Sequence, residues 1–499
     1  MRYGRIEEHP ILKFERGRKV RFTLDGRELW GYEGEPIAIA LLANGHDVFF
    51  RMEDGRPRGP FCMIGKCSSC LMVVDGVPNT RTCVTPLREG MDVRTQHGEP
   101  GLPERVSDSF VPPMEIRRSL VVVGGGPAGL TAAIQAHDLG VEDVLIVDEG
   151  MRLGGQLLKQ THRFFGNKKY YAGKRGIEIA RILEREVEER GIEKMLMGTV
   201  IGVFRESEPR ARYTLGAVVK REVNGVYKTG FVRILADAVI FATGAAEKYL
   251  PFENNDLVGV MGAGGIQTAM NVWGLRPGSR ALVVGAGNVG VIVAYQMLQA
   301  GIKVEAIVEI MPRIGAYFVH AAKVARRGVP ILTRHTILRA IGEDRVEGAT
   351  IARVDDRWNP IPGTERDLDV DLIALSVGLK PSVELVQQAG ARLRYVGRLG
   401  GFIAVRDRYH RFAPFGYVAG DLSGIEEATT AMMEGKIAGA AAAHDLGRAP
   451  PREASRVIRE VEEDLKTFRS GPIGRRIEEA LRAVVVEPPP EEWGGEIGD

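Results

Sequence analysis

Residues 118–149 read RSLVVVGGGPAGLTAAIQAHDLGVEDVLIVDE. An apolar run ending at Val123 opens onto Gly124-x-Gly126-x-x-Gly129, and helical spacing then leads to a second apolar run that stops at Asp148 and Glu149. This strand–turn–helix–strand order is the dinucleotide-binding fingerprint. The first glycine allows the tight turn, the second lets backbone approach a pyrophosphate, and the third permits close helix packing. The helix start offers partial positive charge to phosphates. Gly124, Gly126, Pro127, Ala128 and Gly129 are therefore candidate cofactor contacts, with Asp148 and Glu149 as acceptors for ribose hydroxyls.

The pattern recurs in residues 279–309, SRALVVGAGNVGVIVAYQMLQAGIKVEAIVE, which place Gly285, Gly287 and Gly290 after a strand and Glu309 at the end of the next. Gly129 to Asp148 is nineteen residues, and so is Gly290 to Glu309. A lone GxGxxG is weak evidence, but two copies that each follow a strand, open a helix and end at an acid are strong. The remaining alternative is a degenerate copy that holds no cofactor. A carboxylate at position 309 favours NAD over NADP because it repels a 2′-phosphate, although Arg313 lies close enough to soften that preference. A tightly bound adenine nucleotide that never turns over fits the second copy equally well.

Ahead of both copies, residues 60–83 read PFCMIGKCSSCLMVVDGVPNTRTC and contain all four cysteines, Cys62, Cys67, Cys70 and Cys83. C-x4-C-x2-C followed by a more distant cysteine is the plant-type [2Fe–2S] arrangement. Gly65, Ser68 and Ser69 are small enough to let backbone N–H groups approach the sulfurs, which helps set a cluster's potential. Structural zinc normally needs a second C-x2-C, and disulfides need an oxidising compartment; both stand as the weaker alternatives. Around this loop, KVRFTLDGRELWGYEG alternates about an Asp25-Gly26 turn, EPIAIALLANG has helical spacing with Gly45 as its stop, and LMVVDG and MDVRT read as short strands. A β-grasp ferredoxin-like domain is expected over residues 1–97.

At 499 residues the chain is long enough for about three domains at roughly 150 residues each. Its 44% hydrophobic and 26% charged residues describe a soluble globular protein, and a net charge of +2 gives no reason to invoke nucleic acid. No apolar run reaches the ~18 residues of a membrane span. The start MRYGRIEEHP lacks the apolar core of a secretory signal, so a cytoplasmic enzyme is expected. Sparse Asn and Gln beside abundant Arg and Glu is a thermophile-like composition.

Three more segments complete the motif set: LGGQLL after the first acid, with Gly155 and Gln156; DAVIFATGAAEKYLPF, with Thr243 and Gly244; and GYVAGDLSGIEEATTAMMEGKIAGAAAA, with Gly420 and Asp421. In this order, over residues 116–447, the chain resembles the glutathione and thioredoxin reductase superfamily of flavoproteins with two dinucleotide-binding domains. The resemblance implies FAD, or another adenine nucleotide, in the first domain and NAD(P) in the inserted second. It makes Asp421 an FAD contact and Thr243 and Gly244 backbone neighbours of the cofactor. The expected fold is α/β: two Rossmann-like domains preceded by the β-grasp [2Fe–2S] domain. Its parts are a linker over 98–117, a first FAD-binding part over 118–250, the NAD-binding-like insert over 251–375, the FAD-domain return over 376–447 and a helical extension over 448–499. That extension reads as two short amphipathic helices packing on the body or on a partner.

No cysteine follows Cys83, so the superfamily's redox-active disulfide is missing and thiol exchange is excluded. Hydride chemistry at a flavin, with one-electron transfer to the cluster, is what remains. No substrate-oxidising constellation is evident, and no catalytic residue is assigned. The basic, aromatic run KQTHRFFGNKKYYAGKR (159–175), with His162 and Tyr170, reads first as a solvated loop, and His320 as a satisfied helix residue.

Over nearly its whole length the chain resembles α subunits of heteromeric dye-linked amino-acid or amine dehydrogenases. That group contains archaeal L-proline dehydrogenase, opine oxidase, hydrogen cyanide synthase and heterotetrameric sarcosine oxidase. The resemblance implies an oxidoreductase acting on CH–NH donors as part of a complex. Its amine would be oxidised in a flavoprotein β subunit, with FMN at the subunit interface in some members, and electrons would leave to an acceptor protein, quinone or dye. Neither the C-terminal cysteine-rich segment nor the folate-binding region of some relatives is present, so a second cluster and tetrahydrofolate coupling are not expected. The alternatives are a self-sufficient NAD(P)H:acceptor oxidoreductase and a nucleotide-bound scaffold.

Overall fold

Strands Lys19–Leu24 and Arg27–Tyr32 form the expected hairpin, with Asp25 and Gly26 at φ of 49° and 79°, which is why an Asp-Gly pair occupies the turn. The computed structural model describes residues 2–99, 101, 110–205, 211–223 and 226–498. Its contacts divide the chain into two units, Met1–Val106 with Glu247–Gly378, and Ser107–Ala246 with Leu379–Asp499.

In the first unit the hairpin joins Asp92–Arg94, Leu71–Val74 and Val77–Arg81 in one mixed five-stranded sheet. The helix Ile37–Ala43 buries Ile37, Ile39, Leu41 and Leu42, and Gly45 lies just past its end at φ 84°. The same unit contains a five-stranded, all-parallel sheet in the order Val260–Gly262, Leu372–Leu375, Arg280–Val284, Lys303–Glu309, Ile331–Thr333. These two parts share one apolar core, in which Phe22, Ile39 and Met72 are continuous with Ile266, Ala269 and Val283. The strand Gly4–Arg5 pairs with Leu275–Arg276, and Arg58–Asp256 (2.7 Å) and Arg51–Asp344 (3.0 Å) cross the rim. Partly exposed ion pairs of this kind contribute little, so the shared apolar core holds the two parts together.

In the second unit, strand Phe110–Val123 lies parallel to Val144–Val147 on one side and to Val226–Phe241 on the other. Its first residues occupy the stretch read as a linker; residues 100 and 102–109 of that stretch lie outside the described residues. The strand tolerates Pro112 and Pro113 because the ladder to Val226–Phe241 breaks register between Val111 and Met114, where missing N–H donors do no harm. Gly416–Val418 adds a further parallel strand.

The helix Pro127–Asp138 packs on Ala428–Asp445, a helix buried on nearly every side. Gly439 faces the main chain of Ala132, with the carbonyl carbon 3.1 Å from where a Cβ would sit. The C-terminal extension forms helices Pro451–Phe468 and Pro472–Leu481, the first longer than the sequence reading allowed. Ala454, Ile458, Val461 and Leu465 bury into the core of this unit, and Val485–Val486 pairs with Arg406–Asp407. Among the described residues no helix is long and apolar enough to cross a membrane.

Gly439→Val forces a branched side chain into the Ala132 backbone. It should cost about 2 kcal/mol or more, read as a lower denaturation midpoint at unchanged m-value.

Candidate functional site

The cysteine loop turns on three left-handed residues, Met63, Gly65 and Ser68, at φ 54°, 78° and 58°. Those turns aim backbone donors inward: the N–H groups of Ile64 and Lys66 donate to Cys62 Sγ, and that of Ser69 to Cys67. Cys70 Sγ accepts from the Cys83 N–H and from Thr82. Cys62, Cys70 and Cys83 are buried, Cys67 is half-buried, and none is in a disulfide. Cys62 hydrogen-bonds Cys67 and Cys83, and Cys83 also hydrogen-bonds Cys70. These bonds pull the Cys62 and Cys70 thiols down and push those of Cys67 and Cys83 up. Among the described residues no His, Cys, Asp or Glu group closes around a single metal ion. The contacts run Cys67–Cys62–Cys83–Cys70, so every thiol lies within reach of another, and four thiols on a C-x4-C-x2-C loop fit the donor set of a [2Fe–2S] cluster.

The loop rests on the parallel-sheet part of the first unit. Gly262 N–H donates to the Phe61 carbonyl (3.2 Å), and Gly265 lies against Phe61 and the main chain of Cys62. The Glu247 carboxylate accepts from Gly264 N–H (2.6 Å) and Gly265 N–H (3.2 Å), fixing the start of helix Ala263–Asn271. Tyr249 stacks on Phe61 at 4.7 Å; burial first, then the charges of Cys67 and Cys62, push its hydroxyl up to about 12. Sequence reasoning missed Glu247, Tyr249 and Gly265, because their role depends on contacts about 190 to 200 residues distant along the chain.

The two glycine loops have one design. Gly124 and Gly285 take φ of 110° and 107°, and Gly126 and Gly287 open helices that no side chain caps. A Cβ at either Gly126 or Gly287 would meet nothing within 4 Å, which leaves the room a pyrophosphate needs. Gly129 and Gly290 pack onto the carbonyls of Gly124 and Gly285. Asp148 accepts from Gly125 N–H (2.6 Å) and Gly150 N–H (2.7 Å). Glu309 repeats this with Ala286 N–H (2.8 Å) and Met311 N–H (3.0 Å). Each acid thus braces its own glycine loop, a role the sequence reading did not foresee, and keeps spare lone pairs for a ribose.

Around the first loop, Gly155 sits 2.8 Å from the Gly126 Cα as a Cβ would see it, with Gln156 exposed beside it and Glu149 half-buried. Pro127 is the first helical residue, and Ala128 lies beneath Gly420. Thr243 Oγ1 donates to the Ser382 carbonyl (2.9 Å), and Gly244 turns at φ 65°. The geometry therefore gathers Gly124–Gly129, Gly155 and Gly420 at the C-terminal end of strand Phe110–Val123 in the second unit. Burial first, then the neighbouring carboxylates Glu434, Glu427 and Glu426, push the Asp421 carboxyl up to about 7.

The run 159–175 is less exposed than expected. Tyr170 is fully buried, and its hydroxyl and Lys169 Nζ both bind Asp464, at 2.8 and 2.7 Å, anchoring the C-terminal helix. His320 is buried on its helix and its imidazole is pushed down by burial, as a satisfied helix residue should be.

Residues 17–98 match the 2Fe-2S iron-sulfur cluster binding domain, and residues 118–435 match the pyridine nucleotide-disulphide oxidoreductase model. The chain belongs to the pyridine nucleotide-disulphide oxidoreductase family. The alpha subunit of sarcosine oxidase from Corynebacterium sp. (strain P-1) is 27% identical over 88% of this chain and 45% of its own length. An opine oxidase subunit from Rhizobium meliloti is 30% identical over 66% of this chain and 63% of its own. The chain therefore spans less than half of the sarcosine oxidase polypeptide. The crystal structure of L-proline dehydrogenase from P. horikoshii covers 91% of this chain and 79% of its own, at 26% identity and a TM-score of 0.69. This family member carries its 2Fe-2S iron-sulfur cluster binding domain ahead of the oxidoreductase region, and that region has no cysteine where a redox disulfide would stand.

Cys83→Ser should abolish the visible and paramagnetic signature of a [2Fe–2S] cluster while leaving nucleotide binding intact. Asp421 yields a pH prediction. The folded chain keeps this proton to about pH 7, whereas the unfolded chain loses it near 3.9. Its stability contribution is therefore full below about pH 4 and lost as pH rises toward 7. Asp421→Asn should flatten the decline in melting temperature between pH 4 and 8.

Proposed function

We propose that this chain is the electron-transfer α subunit of a heteromeric amino-acid dehydrogenase whose donor is a secondary amine of the proline, sarcosine or opine type. The observation that carries the reading is one chain in which a four-thiol [2Fe–2S] loop precedes two braced dinucleotide loops. Its likeness to L-proline dehydrogenase over nine-tenths of its length supports the donor class. Cys62, Cys67, Cys70 and Cys83 would hold the cluster. Gly124–Gly129, Gly155, Thr243, Gly244, Gly420 and Asp421 would hold FAD. Bound there, a flavin supplies two-electron acceptance with one-electron release, and the cluster supplies single-electron transfer.

The chain's own contribution is placement and electrostatics. The uncapped helix start at Gly126 presents N–H groups to a pyrophosphate, and the Asp148 brace keeps that loop in register. Glu309 favours NAD in the second loop. Among the described residues none is assigned to take a proton from an amine, and in this reading amine oxidation falls to a partner flavoprotein, with FMN at the shared boundary. The stretch 311–319 supports a partner: Met311, Ile314, Val319 and Phe318 are exposed, Phe318 at 85%. A patch of that kind is normally covered by another protein.

A second reading, a self-sufficient NAD(P)H:acceptor oxidoreductase, is favoured by the intact second loop. Anaerobic mixing of the purified chain separates the two. The α-subunit reading expects flavin and iron to be present, with no bleaching by proline, sarcosine or NADH until the partner is added. Rapid bleaching by NADH alone would establish the second reading instead.

A further inference from the structure

Behind the Gly420–Asp421 turn lies a buried cluster of charge. Glu434, 3% exposed on helix Ala428–Asp445, accepts from Gly420 N–H (3.0 Å) and Ser423 Oγ (2.6 Å). Arg469, just past the end of helix Pro451–Phe468, donates to Glu434 Oε1 (3.1 Å) and from Nε to Glu426 (3.1 Å). Arg406 approaches Glu434 at 3.7 Å, and its buried Nε has no hydrogen-bond partner. Asp421 accepts from the Glu426 N–H.

Among the described residues, the charged or titratable groups facing this cluster include Arg406, Asp407 and His410 from residues 406–410; Asp421, Glu426 and Glu427 from the turn; Glu434 from its helix; and Arg469 from the extension. Burial pushes His410 down to about 3, so it carries no charge at neutral pH. Asp407 is drawn to Arg411. Two guanidiniums, Arg406 and Arg469, therefore face the Glu426 and Glu434 carboxylates, and Asp421, pushed up to about 7, adds a third carboxylate charge above that pH. Burial works to raise the Glu434 carboxyl, and His410, Arg406, Arg469 and the Ser423 hydroxyl together more than offset it, so it is held below its ordinary value.

Resting on the reading of the first loop as an FAD site, we propose that Arg469 is a positioning residue for that site. Together with Arg406 it balances the Glu426 and Glu434 charges so that the Gly420–Asp421 turn can accept an anionic dinucleotide. The oxidoreductase match ends at residue 435, so this cation comes from outside the matched region. Without it, the Glu426 and Glu434 carboxylates would face Arg406 alone, 3.7 Å from Glu434, and would no longer be balanced. Their field would oppose the phosphates, and they would take up protons as the pH falls.

The test uses the full chain freed of nucleotide and titrated with FAD, followed by flavin fluorescence at pH 6 and pH 8. Arg469→Gln should weaken binding about tenfold at pH 8 and much less at pH 6, and adding Glu426→Gln should restore it. Wild-type affinity in R469Q, an equal loss at both pH values, or no restoration in the double variant overturns the proposal. Should R469Q fail to fold, Glu426→Gln alone reads the same balance in reverse: it should tighten binding at pH 8, and an unchanged affinity overturns the proposal. Wild-type protein that takes up no FAD contradicts the assigned occupant instead.

Discussion

The seat of the cysteine loop on bare main chain is the contact on which this architecture turns. Gly265 faces Phe61 and Cys62 so closely that main-chain atoms of Cys62 lie 3.1 and 3.2 Å from an added Cβ, and Glu247 pins the helix start that carries this glycine. No side chain fits there, so the loop cannot lift away without exposing the apolar core behind it. The ferredoxin-like part is consequently one end of a core shared with the second dinucleotide fold. A one-electron site built this way inherits the rigidity of the parallel sheet next to it.

A second economy appears in the acids. Asp148 and Glu309 hold the middle N–H of their own glycine loops before any ligand is present. A carboxylate that accepts two backbone donors is fixed in direction, so a nucleotide bound as proposed would meet a preorganised acceptor, with little ordering left to oppose binding. The first site differs from the second in its rear wall. There the C-terminal extension contributes Arg469 to a buried set of carboxylates, whereas the second loop has beside it the exposed apolar stretch 311–319.

Local patterns carried much of this into the sequence. The Asp25-Gly26 hairpin, the C-x4-C-x2-C loop and both glycine fingerprints are short-range signals, because φ sign, close approach and thiol spacing are set within a few residues. What was not legible depends on contacts far apart in the chain. Glu247 has no motif of its own and gains a role only when helix 263–271 meets the cysteine loop. Tyr170 reads as part of a solvated basic run until helix Pro451–Phe468 brings Asp464 to its hydroxyl. The stretch containing Pro112 and Pro113 reads as a linker until a register break in the neighbouring ladder spares their missing donors. The pairing of Arg469 with Glu434 spans 35 residues and has no periodic signature.

The central claim is that one chain combines a [2Fe–2S] cluster with a flavin site. Metal and flavin analysis of the anaerobically purified full chain, joined to low-temperature electron paramagnetic resonance after dithionite reduction, tests it most directly. Two irons and one flavin per chain are expected, with a single rhombic spin from the reduced cluster. Zinc in place of iron, or iron without that signal, would contradict it.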